Sequence, residues 1–162
     1  MSDGGCLCGE VRYSVTGKAE SSLICHCVSC RRSTGAQSVA WLTFPSAGFS
    51  WLSGDPVEHR SSAEVRRTFC GRCGTSLAYR YDRDPDFIDV ATATLDHPDE
   101  FPPTRHVWLE DGIAWDQVGD GLPWFERGTP PEWNPRCLDR LSLAVIQHFF
   151  CHRGSTYTPA TS

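Results

Sequence analysis

Seven of the nine cysteines in this 162-residue chain fall into three tight groups. Near the start, Gly5-Cys6-Leu7-Cys8-Gly9 carries a Cys-x-Cys pair. Cys25-His26-Cys27-Val28-Ser29-Cys30 runs directly into Arg31-Arg32, and Phe69-Cys70-Gly71-Arg72-Cys73-Gly74 carries a Cys-x-x-Cys pair. Cysteines one or two residues apart, flanked by glycine, are how a backbone turns two thiolates toward one ion. Disulfides are the competing explanation, and three features oppose them. The cysteine count is odd, Cys-x-Cys pairs do not match the usual disulfide geometry, and Met1-Ser2-Asp3-Gly4 shows neither the basic nor the apolar stretch of a secretory leader. The expected location is therefore cytoplasmic, where thiols stay reduced.

The chemistry follows from counting ligands. A structural zinc site takes four protein ligands, and a catalytic one takes three and keeps a place for water or substrate. Seven clustered cysteines divide as four plus three, which implies two zinc ions per chain. Cys6, Cys8, Cys70 and Cys73 would close one tetrahedron and staple the N-terminal strand to the middle of the chain. Cys25, Cys27 and Cys30 would give three thiolates to a second, catalytic ion. His26 lies between two of these ligands on extended chain, so its side chain is expected to point away from the ion. The alternative is a second closed site, completed by a distant residue such as Cys137, His97 or His106. Three thiolates on one zinc leave a net negative charge. Arg31 and Arg32 could offset it or contact an anionic substrate, whereas Arg66 and Arg67 read as a solvated strand face.

The elements that must carry these groups read as mostly strands. Val11, Tyr13 and Val15 alternate with Glu10, Arg12 and Ser14 in one half-buried strand over residues 4–16. A second strand over 21–26 enters the middle cluster, and a short helical turn over 28–35 ends at Gly35. Residues 38–44 are apolar on both faces and are predicted to be a central strand. Further strands are expected over 49–52, 57–60, 65–69, 76–81 and 87–95, with a short extended piece at 105–109. Beyond Gly128-Thr129-Pro130-Pro131, apolar residues at helical spacing predict a helix over 136–151. The fold class is mainly β, of short antiparallel strands around two zinc sites, with a C-terminal helix. Hydrophobic residues make up 40%, a globular composition, and the net charge of −5 disfavours nucleic acid. No apolar run is long enough to cross a membrane.

Three ordered motifs carry a family resemblance. Gly5-Cys6-Leu7-Cys8-Gly9-Glu10-Val11-Arg12-Tyr13, Cys25-His26-Cys27-Val28-Ser29-Cys30-Arg31-Arg32-Ser33-Thr34-Gly35 and Phe69-Cys70-Gly71-Arg72-Cys73-Gly74-Thr75-Ser76-Leu77 resemble the glutathione-dependent formaldehyde-activating enzyme family, whose domain also occurs in centromere protein V. His106-Val107-Trp108, Trp115 and Asp120-Gly121-Leu122-Pro123-Trp124-Phe125 resemble its closing motif. The resemblance implies a β-tent fold with two zincs over residues 1–127, leaving 128–162 as a C-terminal extension that holds Cys137 and Cys151. It matches Cys6, Cys8, Cys70 and Cys73 to the structural site and Cys25, Cys27 and Cys30 to the catalytic one. The implied activity is that of a carbon–sulfur lyase, adding a small thiol such as glutathione to a small aldehyde such as formaldehyde, or the reverse. His106 and Asp120 enter only as members of the closing motif, in proton transfer or in a structural hydrogen bond. The alternative is a non-catalytic interaction module with two structural zincs.

Overall fold

The computed structural model describes residues 1–133. Within that span the chain is mainly β, with ten strands in two sheets and one α-helix. The helix predicted over 136–151, with Cys137 and Cys151, lies outside the described residues. No helix among the described residues is long and apolar enough to cross a membrane.

The single strand expected over 4–16 is a hairpin. Its arms are β1 (Ser2–Gly5) and β2 (Arg12–Val15), paired antiparallel with Gly5 opposite Arg12. The first cysteine pair itself reverses the chain. The Cys6 N–H donates to the Val11 carbonyl, the Gly9 N–H donates to the Cys6 carbonyl, and Gly9 takes the left-handed conformation at φ 76°. Only glycine enters that region without a Cβ penalty. The alternation read from sequence survives on the return arm, where Val11, Tyr13 and Val15 are all buried. β5 (Phe49–Ser53) pairs with β2 and completes a three-stranded sheet.

The second sheet is built from β3 (Ser21–Cys25), β4 (Val39–Pro45), β6 (Val57–Arg60), β7 (Val65–Phe69), β8 (Ser76–Tyr81), β9 (Phe87–Ala91) and β10 (His106–Val107). Their spatial order is β10-β3-β4-β9-β8-β7-β6. The pairs are antiparallel as expected, except that β10 runs parallel to β3, with Val107 beside Cys25. Two expected strands are shorter than their apolar runs. The 87–95 run stops at Ala91 and folds into a single 3-10 turn over Thr92–Thr94, where the Thr94 hydroxyl bonds the Ala91 carbonyl at 2.7 Å. The 105–109 run stops at Val107 because Trp108 turns left-handed at φ 63°.

β4 is the inner strand that its two apolar faces predict, lying between β3 and β9. Leu42 and Phe44 face a core shared with Cys6, Val11, Tyr13, Cys70, Leu77, Ile88 and Val90. Val39 and Trp41 face a second core with Cys25, Cys30, Ala91 and Val107. Because successive strand residues point to opposite faces, one strand puts a cysteine cluster on each side of itself. The chain past residue 127 still packs on this body. The Arg105 side chain donates to the Thr129 hydroxyl at 2.8 Å, and Phe125 meets Trp133 edge-on.

Leu77 is fully buried in the core that holds Cys6 and Cys70. Leu77→Ala is expected to destabilise the chain by about 2–5 kcal/mol, read as a lower urea midpoint at unchanged slope.

Candidate metal centres

Two tight turns build the four-cysteine cluster. Cys6 and Cys8 sit on the β1–β2 turn, and Cys70 and Cys73 on the β7–β8 turn. The second turn is closed like the first: the Cys70 N–H donates to the Thr75 carbonyl, and the Gly74 N–H donates to the Cys70 carbonyl, with Gly74 left-handed at φ 77°. The four sulfurs all lie within 4.8 Å of one another. Cys8 Sγ is 3.4 Å from Cys6 Sγ and 3.8 Å from Cys70 Sγ. Sulfurs bound tetrahedrally about 2.3 Å from an ion stand about 3.8 Å apart, so the turns are already close to ligand spacing.

Hydrogen-bond donors converge on these sulfurs. The Val11 N–H points at Cys6 Sγ at 3.3 Å, and the Thr75 hydroxyl lies 3.2 Å from Cys73 Sγ. The Thr75 hydroxyl and backbone N–H, with the Cys8 N–H, bring the Cys73 thiol down to about 5. Burial opposes ionisation of Cys6, yet the Val11 N–H and the neighbouring thiols lower it. Cys8 goes the other way, up to about 12. The Glu10 N–H favours its anion, but the adjacent Cys6 sulfur and lost hydration prevail. Four crowded thiols cannot all ionise without a cation among them.

The three-cysteine cluster is built differently. Cys25 ends β3. Cys27 caps α1 (Val28–Thr34), its sulfur accepting the Cys30 N–H at 3.3 Å. Cys30 lies in the first turn of α1, which stops at Gly35 in the left-handed conformation, as its sequence predicts. The three sulfurs lie within 4.8 Å of one another, and no further His, Cys, Asp or Glu among the described residues joins them. Cys25 and Cys30 are buried and Cys27 is half-buried. Donation from the Cys25 and Cys27 thiols, helped by Arg67, holds Cys30 well below the usual thiol range. Contact with Cys27, then with Cys30, combines with burial to push Cys25 well above it. At Cys27, contact with Cys25 favours the anion, but Cys30 and burial outweigh it and the thiol rises to about 11. An all-sulfur set of this spacing suits a zinc-type cation and disfavours magnesium or calcium.

His26 turns away from the sulfurs, as expected of a side chain between two ligands on extended chain. Its Nε2 meets His106 Nδ1 at 2.9 Å, and His106 Nε2 meets Asp120 Oδ2 at 2.9 Å. The carboxylate fixes the polarity of this chain. His106 donates from Nε2 to Asp120, so its Nδ1 accepts from His26. The bond from His106 holds the Asp120 carboxyl below its ordinary value, while burial above all lowers His26. His97 and His106 are both outside the three-sulfur set among the described residues.

The arginines divide unexpectedly. Arg31 donates to the backbone carbonyls of His26 and Asp111 at 3.1 and 2.8 Å, and Arg32 is exposed on the same helix. Arg66 lies on a solvated strand face, paired with Asp82 and Glu58. Arg67, read from sequence as part of that same face, is 6% exposed. Its guanidinium stands 5.3 Å over the Tyr79 ring and brings Nη2 to 3.8 Å from Cys30 Sγ. The signal that identifies it is parity: consecutive strand residues point to opposite faces, so Arg66 and Arg67 cannot share one solvated face. A groove of about 390 Å³ lies between the end of α1, the start of β4 and the Cys73–Ser76 turn. Thr34, Ser38, Thr75 and Thr94 line it with small apolar residues, and no Lys, Arg, Asp or Glu among the described residues does.

A family model described as glutathione-dependent formaldehyde-activating enzyme matches residues 1–111. A protein of Schizosaccharomyces pombe, named as an uncharacterized lyase, is 29% identical over 97 residues. That alignment takes in 54% of this chain and 65% of the yeast protein, just under two thirds of its length. A crystal structure of a Rhodobacter sphaeroides protein has the same fold at a TM-score of 0.51 and 22% identity, over 76% of this chain and 99% of that one.

Titration of the reduced protein with cobalt(II) is expected to saturate at two equivalents, with thiolate-to-metal charge-transfer absorption growing through both. Saturation at one would contradict the reading of both clusters as metal sites.

Proposed function

The chain belongs to the glutathione-dependent formaldehyde-activating enzyme family, and from that premise we propose that it is a zinc-dependent carbon–sulfur lyase-type enzyme. It joins a low-molecular-weight thiol resembling glutathione to a small aldehyde such as formaldehyde, or reverses that addition. At the coarser level, the family and the lyase-named yeast relative support a glutathione-related lyase. The observation that carries the finer reading is the three-sulfur cluster of Cys25, Cys27 and Cys30, which lacks a fourth metal-binding side chain among the described residues. In this reading Cys6, Cys8, Cys70 and Cys73 hold the structural ion.

A divalent ion held by the three sulfurs would supply Lewis acidity, favouring the thiolate form of an incoming thiol near neutral pH. The rest falls to the chain. Cys25 and Cys30 are anchored on opposite sides of one turn, by β3 and by α1, which fixes the three sulfurs before substrate arrives. The His26–His106–Asp120 hydrogen bonds lock the residue between two of those sulfurs, so Cys25 and Cys27 keep their orientation. Both ring nitrogens of His106 are engaged in that task, which favours a positioning role over proton transfer. Arg31 and Arg32 on α1 directly follow Cys30 and are the candidate contacts for the carboxylates of a small thiol compound. In the addition itself, thiol sulfur bonds to the aldehyde carbon, the carbonyl π bond opens, and the thiol proton ends on the new hydroxyl. No oxidant or reductant is needed. Seven free cysteines in these positions suit a reducing compartment, so a cytoplasmic location is part of the proposal.

Exchange spectroscopy by NMR on formaldehyde and glutathione should show faster interconversion with their adduct when the metal-loaded protein is added. Cys27→Ser should abolish the acceleration. Absence of any acceleration by the fully loaded chain would remove these two substrates and favour an interaction module.

A further inference from the structure

Arg67 is a buried cation with little to pair with. Its side chain is 6% exposed, and Nε and Nη1 are buried with no hydrogen-bond partner among the described residues. Nη2 reaches the Ser29 hydroxyl at 3.4 Å and Cys30 Sγ at 3.8 Å, and the face of the guanidinium lies over Tyr79. No carboxylate forms an ion pair with it among the described residues. Its neighbour Arg66 has two such pairs at the surface. An arginine cannot escape its charge by losing a proton, so a buried one needs an anionic neighbour. The sulfur of Cys30 is the neighbour in reach.

We propose that Arg67 is the positioning residue that balances the charge of the three-cysteine cluster. Three thiolates around one divalent cation carry a single negative charge, and the buried guanidinium of Arg67 beside Cys30 cancels it. The four-cysteine cluster would carry two negative charges but has no buried arginine against it among the described residues. There Cys8 is exposed and water can hydrate the excess, with Arg72 at the surface nearby. The three-cysteine cluster has less recourse to water, since Cys25 and Cys30 are buried, Cys27 is half-buried and none of the three is exposed. Arg31, the other cation beside it, spends its donors on the His26 and Asp111 carbonyls. The Tyr79 ring on β8, 5.3 Å from the guanidinium carbon, holds the cation within reach of Cys30. The inference rests on the reading that Cys25, Cys27 and Cys30 hold a metal ion.

The test is metal affinity, measured by competition with a chromophoric chelator and by cobalt absorption, in wild type, Arg67→Met, Arg67→Lys and Arg66→Met. Loss of the balancing charge in R67M is expected to weaken the second metal equivalent by about 10–100-fold and to shift its charge-transfer band. R67K, which keeps the charge, should recover most of the affinity, and R66M should leave both equivalents unchanged. Equal affinities for R67M and R67K would overturn the proposal, because packing alone would then explain Arg67. If R67M does not fold, R67K decides against wild type. Retention within about tenfold supports the proposal, and a larger loss overturns it. A wild-type chain that binds only one equivalent would instead overturn the two-site reading, and this inference with it.

Discussion

Cys8 and Cys70 stand 62 positions apart in the chain with their sulfurs 3.8 Å apart. Their approach ties the tip of the β1–β2 hairpin to the tip of the β7–β8 turn, and with them the smaller sheet to the larger. The hairpin is also held by the pairing of β2 with β5 and by the Arg12–Asp96 ion pair. β1 is four residues long, two of them glycine. Gly4 is pressed against the Tyr13 ring, where an added Cβ would come within 2.5 Å. What holds this end of the molecule is the core around Tyr13 and Leu77 together with the sulfurs at its edge. A metal ion there would act as part of the fold, since a site assembled from distant turns exists only in the folded chain.

The second cluster is under a different constraint. It is local, with Cys25 and Cys30 five residues apart on a strand, a bend and one helical turn. Its geometry does not depend on joining remote segments. Its difficulty is charge in a closed place. The donors directed at it among the described residues include the Cys30 N–H to Cys27, and the Arg67 guanidinium and Trp41 side chain to Cys30. β4 separates the two situations physically, with Leu42 and Phe44 turned to one cluster's core and Val39 and Trp41 to the other's. The chain thus keeps a well-hydrated four-sulfur staple and an enclosed three-sulfur site on opposite faces of one strand.

Much of this is legible in the residues themselves. Cysteine spacing gives the four-plus-three grouping that the sulfur positions reproduce. Alternation gives the buried side of β2, and two-sided apolarity gives the inner position of β4. Other features depend on partners distant in sequence. The 4–16 strand reads as continuous because its alternation runs through the turn, and the turn exists only through the Cys6–Val11 pairing. The parallel docking of β10 on β3 follows from a long connection whose path no local pattern specifies. Arg67 looks like its neighbour Arg66 until Tyr79 and the α1 end with Cys30 cover the face it points to. The His26–His106–Asp120 chain joins residues up to 94 positions apart, and the sequence offers only the residue types.

The central claim is that the two clusters do different work: one holds the fold, and the other is free for chemistry. Paired measurement of zinc content and thermal unfolding in Cys70→Ser and Cys27→Ser tests it most directly. The account predicts that Cys27→Ser loses one zinc and still unfolds in a single cooperative transition, while Cys70→Ser loses cooperative unfolding altogether. A Cys27→Ser chain that fails to fold, or a Cys70→Ser chain as cooperative as wild type, would contradict it.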